Sequence, residues 1–195
     1  MNDEDDDDGG PEARVRRNDM ALLSRAAERV YWTGRYLERV ETTARLLQVH
    51  TALYLDTPRS AGLAWAPLLA VSGSPGAFDE LYPSAAEDHV VEYLCTDAMN
   101  AGPVLAALAQ ARENIRTTRG VFPREVWEVV NDLYFDVVDR ADEAVPRWSR
   151  HGWLARIVDR CHVLVGVMAS AMTRDGAYDL LRIGRYLERA DMTSR

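Results

Sequence analysis

Acids and guanidiniums recur in this chain in one repeated pattern. Residues 34–45 read GRYLERVETTAR and residues 184–195 read GRYLERADMTSR, an offset of 150 with eight identities in twelve. Glu38, Arg39, Glu188 and Arg189 occupy matching places in the two copies and are the candidate catalytic residues. A glutamate of this kind can pass protons in acid–base chemistry on a peptide or amide. The neighbouring arginine stays charged and forks onto carboxylates. Gly34, Glu38, Glu41 and Arg45 follow steps of four, three and four, as do Gly184, Glu188, Asp191 and Arg195. On a helix those residues share one side. Glycine inside a helix costs about 1 kcal/mol relative to alanine. Its presence in both copies points to a second backbone passing close by. Two copies packed through their glycines would turn all these carboxylates into a common space.

That space has two readings. One is a buried ion network, with Glu38, Glu41, Glu188 and Asp191 answered by Arg35, Arg39, Arg185 and Arg189. Buried carboxylates must be paired, and breaking one such pair costs about 3–5 kcal/mol. The other is a site that binds a cationic substrate, a proton or a metal, with Arg35, Glu41, Arg45, Arg185 and Asp191 as binding residues. Di-metal bundles use Glu-x-x-His on paired helices. The chain lacks that motif, so no metal is expected. His50, His89, His151 and His162 lie outside the repeated segments and read as surface or internally satisfied residues.

A second cluster is Ala111-Arg112-Glu113-Asn114, followed by Arg116 and Arg119. Three arginines on one face repel unless something acidic answers them. Arg112 and Arg116 are therefore further binding candidates, paired either with the carboxylates above or with a phosphate or carboxylate ligand. Trp127, Asn131 and Tyr134 share a stripe that reads as core packing with internal hydrogen bonds.

Composition narrows the chemistry. All 23 basic residues are arginine, which excludes a Schiff-base lysine, covalently held pyridoxal and a Walker-type lysine. There is no Gly-x-Ser-x-Gly nucleophile turn and no phosphate-cradling glycine loop, so no cofactor is expected. Residues 1–19 hold eight acids against three arginines, and the remainder carries only −3 of the total −8. That body offers no positive surplus for a phosphate backbone, so nucleic acid is not an expected partner. Cys95 and Cys161 read as reduced core residues. Neither a signal peptide nor a run long enough to span a bilayer is evident, so the expected place is the cytoplasm and no membrane partner is expected.

The elements that must hold these residues are all helical. Residues 1–19 read as a disordered acidic leader. A first helix is expected from Met20, with Ser24 a cap, to about Leu55. Its stripe is Ala26, Val30, Thr33, Leu37, Val40, Ala44, Leu47, Thr51 and Tyr54. Residues 57–76 read as a loop and 77–95 as a modest helix. Asn100 and Pro103 open another, inward through Val104, Leu108, Ala111 and Ile115, up to Gly120. Pro123 starts the next, which Pro146 ends. Leu154, Val158, Cys161, Val165, Met168 and Met172 mark a fifth, and Thr173 caps a sixth. The expected fold class is all-α, a single helical bundle with a duplicated Gly-Arg-Tyr-Leu-Glu-Arg helix.

Together these motifs resemble the alpha-E domain family, bacterial all-helical proteins. The resemblance rests on Leu23-Ser24-Arg25, Tyr31-Trp32 and the repeat from Gly34 to Arg39. It continues through Ala111 to Asn114, Trp127-Glu128 with Asn131 and Tyr134, Met172 to Asp175, and Gly184 to Arg189. It covers most of residues 20–195 and implies one alpha-E domain there. It also implies that the domain runs on past Arg195, so that the chain is truncated within its last helix. Family members accompany or are fused to a circularly permuted ATP-grasp ligase, often with a transglutaminase-like protease nearby. The implied role is an accessory domain of a system that forms or modifies peptide or amide bonds. Such a domain would bind a peptide, an acyl intermediate or the ligase. An enzyme using the paired Glu/Arg residues and a purely structural interaction module are the alternatives.

Overall fold

The computed structural model describes residues 11–56, 64–72, 75–97 and 104–195, and the described residues form helices without strands. The first helix, α1 (Pro11–Asp56), is the axis of the molecule. Short α2 (Ala66–Ser72), α3 (Pro75–Leu81) and α4 (Glu87–Cys95) follow, then α5 (Val104–Thr117) and α6 (Arg124–Asp139). A 3₁₀ turn at Ala141–Glu143 leads into α7 (Arg147–Ala171) and α8 (Gly176–Ser194). Helices α8, α5 and α7 pack around α1, while α6 joins α5 to α7.

The expected α1 stripe is the one that the packing uses. Val30, Thr33, Leu37, Val40, Ala44, Leu47 and Thr51 are buried, with Ala26 and Tyr54 half-buried at its ends. Val104, Leu108, Ala111 and Ile115 of α5 and Val126, Val130, Leu133 and Val137 of α6 face the same core. Cys95 and Cys161 are free and buried, and burial pushes each thiol up to about 12. No described helix is long and apolar enough to cross a membrane.

Several boundaries differ from the sequence reading. The α1 helix begins at Pro11, so residues 11–19 of the expected leader are helical, and Ser24 is interior rather than a cap. Proline suits the first helical position, and the Glu, Ala and Arg that follow are good helix formers. Residues 1–10, Asn100 and Pro103 lie outside the described residues. The expected loop at 57–76 contains α2 and the start of α3, because Leu68, Leu69 and Phe78 have core to bury in. The expected helix at 77–95 is cut in two at Pro83, which cannot continue a helix. Helix α6 ends at Asp139, and Pro146 caps α7 instead of closing α6. The α8 cap is Asp175, whose carboxylate accepts from the Ala177 and Tyr178 amides, not Thr173.

Arg150 of α7 is buried, 1% exposed, on the stripe that Leu154 and Val158 continue. It donates to Glu87 of α4 at 2.8 Å, to the Ala144 carbonyl at 3.1 Å and to the Val145 carbonyl. Its guanidinium lies 5.6 Å from the Trp65 ring centre. Burial works to raise the Glu87 carboxyl, but hydrogen bonds from Arg147 and Arg150 outweigh it and hold the group below its ordinary value. Glu87→Ala leaves Arg150 buried and unpaired, so denaturant melts are expected to show a loss of about 3–5 kcal/mol. The pH dependence has a definite sign. A depressed carboxylate adds stability that is complete above the unfolded value of about 4.3 and lost as pH falls through the folded value. Glu87→Gln should therefore flatten the acid limb of stability measured between about pH 5 and 2.

Candidate functional site

The two repeat helices, α1 and α8, meet through their glycines. A Cβ on Gly34 would stand 2.2 Å from the Leu181 carbonyl oxygen, and one on Gly184 would stand 2.2 Å from the Tyr31 carbonyl oxygen. Each glycine Cα therefore presses on a carbonyl of the other helix, a contact made through Cα–H at close helix crossings. Tyr31 and Leu181 are themselves 150 positions apart, so the crossing is a pseudo-twofold. The helices run in the same direction, since Gly34 meets Leu181 and Arg185 while Glu38 meets Arg185 and Arg189.

The close approach sets the chemistry of the seam. Glu38 and Glu188 are 2% and 1% exposed, and each is served by arginines of the opposite helix. Glu38 accepts from Arg185 at 2.9 and 3.1 Å and from Arg189 at 2.6 Å. Glu188 accepts from Arg39 at 2.6 and 3.2 Å and from Arg35. Three guanidinium hydrogen bonds thus occupy each carboxylate. Burial opposes the charge on Arg35, but hydrogen bonds with Tyr31 and Glu188 more than offset it and raise its value. The hydrogen bond to Glu38 likewise raises Arg189.

One turn further on, the pair diverges. Glu41 is buried and accepts from Arg45 at 3.0 Å, with Arg185 at 3.7 Å. Its counterpart Asp191 is half-buried, accepts from Arg195 at 2.7 Å and has Arg35 at 3.9 Å. Helix α7 packs beside α1 on the Glu41 side. There, His162 Nε2 lies 3.3 Å from the Glu41 carboxylate and also contacts Arg45. A cleft of about 350 Å³ opens between Glu41, His162, Val165, Arg185, Tyr186 and Arg189. Tyr186 projects from its rim, its hydroxyl lowered by the Arg182 guanidinium that bonds it.

The structure thus collects nine of the sequence-selected residues along one seam: Arg35, Glu38, Arg39, Glu41, Arg45, Arg185, Glu188, Arg189 and Asp191. Arg112 and Arg116 are not among them. Arg116 forks onto Glu113 of its own helix at 2.7 Å, and Arg112 turns toward α6, where Asn131 accepts from it at 2.9 Å. With their guanidiniums engaged there, neither arginine pairs with a seam carboxylate among the described residues. Sequence reasoning set His162 aside because nothing local links it to Glu41, 121 positions away. His50, read as surface or satisfied, is buried edge-on to Trp65 at 4.5 Å, and its Nε2 has no hydrogen-bond partner among the described residues. Burial lowers its value and keeps the ring neutral. Among the described residues no group of His, Cys, Asp and Glu is arranged to hold a metal.

The glycine crossing is directly testable. Gly34→Ala and Gly184→Ala should each destabilise by at least about 1–2 kcal/mol, even after the helix-propensity gain of about 1 kcal/mol. Gly166→Ala on α7, where a Cβ meets nothing within 4 Å, should instead be neutral or stabilising by up to about 1 kcal/mol. Equal effects at all three positions in urea titrations would show that the crossing is not close.

Residues 22–195 match the family model Alpha-E, described as a predicted alpha-helical domain with a conserved ER motif. Glu-Arg pairs stand in this chain at 28–29, 38–39 and 188–189, the last two facing each other across the seam. No curated protein and no solved structure matches the chain. With the match spanning nearly its whole length, the chain belongs to the Alpha-E family.

Proposed function

We propose that the chain is an accessory module of an ATP-grasp-dependent system that forms or modifies peptide or amide bonds. It acts by binding a peptide, an acyl intermediate or the circularly permuted ligase itself. A transglutaminase-like protease is a further partner on this reading. The ligase link rests on the family resemblance. The preference for binding over catalysis rests on one observation: Glu38 and Glu188 each carry three guanidinium hydrogen bonds and are 2% exposed or less. A carboxylate held by three guanidinium bonds keeps about one of its four acceptor sites, and its near-complete burial denies a substrate access to it. Acid–base catalysis needs the opposite, a group within hydrogen-bond reach of the reacting atom.

The enzyme reading has one observation in its favour. Glu41 and His162 adjoin an open cleft with Arg185 and Arg189 on its wall. A histidine oriented by a carboxylate is a plausible proton shuttle. The two readings separate in a reconstitution with the circularly permuted ligase. The expected result is that the chain alone turns over no peptide amide, while its addition raises ligase product formation. Glu38→Gln and Glu188→Gln should lower the melting temperature, and product formation should follow the folded fraction. Turnover by the chain alone that disappears in His162→Ala, with melting unchanged, would establish the enzyme instead.

A further inference from the structure

The second arginine cluster remains unused by the seam. Arg112 lies with its guanidinium carbon 5.4 Å from the Trp127 ring centre, 4.8 Å from Tyr134 and 5.2 Å from Phe135. Its Nε donates to Asn131 at 2.9 Å. Arg119 lies 4.4 Å from the same Trp127 ring. Two cations therefore share one indole. Among the described residues, neither meets a carboxylate. Two acids that adjoin the cluster in sequence, Glu113 after Arg112 and Glu128 after Trp127, are engaged by Arg116 and Arg124, each at 2.7 Å.

This arrangement differs from an ordinary surface arginine. The Nε bond to Asn131 and the aromatic floor fix the plane of the Arg112 guanidinium, which leaves its two terminal nitrogens as an ordered pair of donors. Stacked arginines present such a fork with little further loss of freedom. The fork matches the two oxygens of a carboxylate. Phe135, 47% exposed beside it, offers an apolar contact that a free inorganic anion would not use.

We propose that Arg112 and Arg119, mounted on Trp127, bind the carboxylate of a peptide whose neighbouring apolar side chain rests on Phe135. The site lies on α5, α6 and the turn between them and does not depend on the ligase reading; its test needs no ligase. The carboxylate could be a chain terminus or an acidic side chain, and two probes distinguish these. Calorimetric titrations would use acetyl-Ala-Ala-Phe with a free terminus, acetyl-Phe-Glu amide, and acetyl-Ala-Ala-Phe amide as the uncharged control. At least one acidic probe should bind saturably, and at least about tenfold more tightly than the control. Arg119→Ala, at an exposed position, and Arg112→Lys, which keeps charge but loses the fork, should each weaken binding about tenfold or more. Arg119→Ala should leave the melting temperature unchanged. No saturation by either acidic probe up to about 10 mM would overturn the proposal. So would equal binding of the control, affinity unaltered in Arg119→Ala, or inorganic phosphate binding as tightly as the peptides.

Discussion

Two carbonyl oxygens pressed against two glycine α-carbons determine most of what this molecule does with its charges. At that distance there is no room between α1 and α8 for solvent around Glu38 or Glu188. A carboxylate without water must be neutralised, and arginines on the same helix point away along its own surface. Reach across the crossing is the geometric solution, so each acid is held by the other helix's guanidiniums. The glycine, the glutamate and the two arginines are thus one constraint expressed four times over in each copy.

Such a network is poor evidence of net stability. Taking two carboxylates out of water, and three guanidiniums partly so while Arg189 stays half exposed, costs about as much as their mutual attraction returns. Its value lies in specificity. Sliding α8 along α1 by a residue, or turning it by a third of a revolution, leaves buried charges unpaired, whereas apolar side chains would tolerate many registers. The Arg150 to Glu87 contact does similar work at the other end of the molecule. It ties α7 to α4 through a buried cation that also donates to the Ala144 and Val145 carbonyls.

The seam was legible because both its halves are written in the chain. The repeat gave the residues, the four-three-four spacing gave the face, and the glycines gave the close approach. The core stripes of α1, α5 and α6 were legible for the same reason: periodicity is local information. What escaped was contact between segments with no shared pattern. His162 reaches Glu41 only because α7 returns beside α1. Arg112 meets Asn131 because α6 folds back on α5. Arg150 did carry a signal, since it falls in register with Leu154 and Val158. An arginine breaks the apolar pattern of a buried stripe, so the stripe reads as starting at Leu154. Short α2 and α3 were hidden by Pro, Gly and Ser, which mark turns even where a few apolar residues between them find a core.

An interface in which each half both gives and receives the same set of contacts is isologous, the kind that two identical chains form with each other. Here both halves belong to one polypeptide, which replaces a bimolecular encounter with a tether and frees assembly from protein concentration. The tether also ends the obligation to remain identical. In a homodimer, whatever neighbour one side acquires the other acquires too. Within one chain, Glu41 sits beside His162, whereas the ion-pair partners of Asp191 among the described residues are Arg195 and Arg35. Carrying two equivalent halves in one chain thus leaves their mutual grip intact and makes their outer environments independently evolvable.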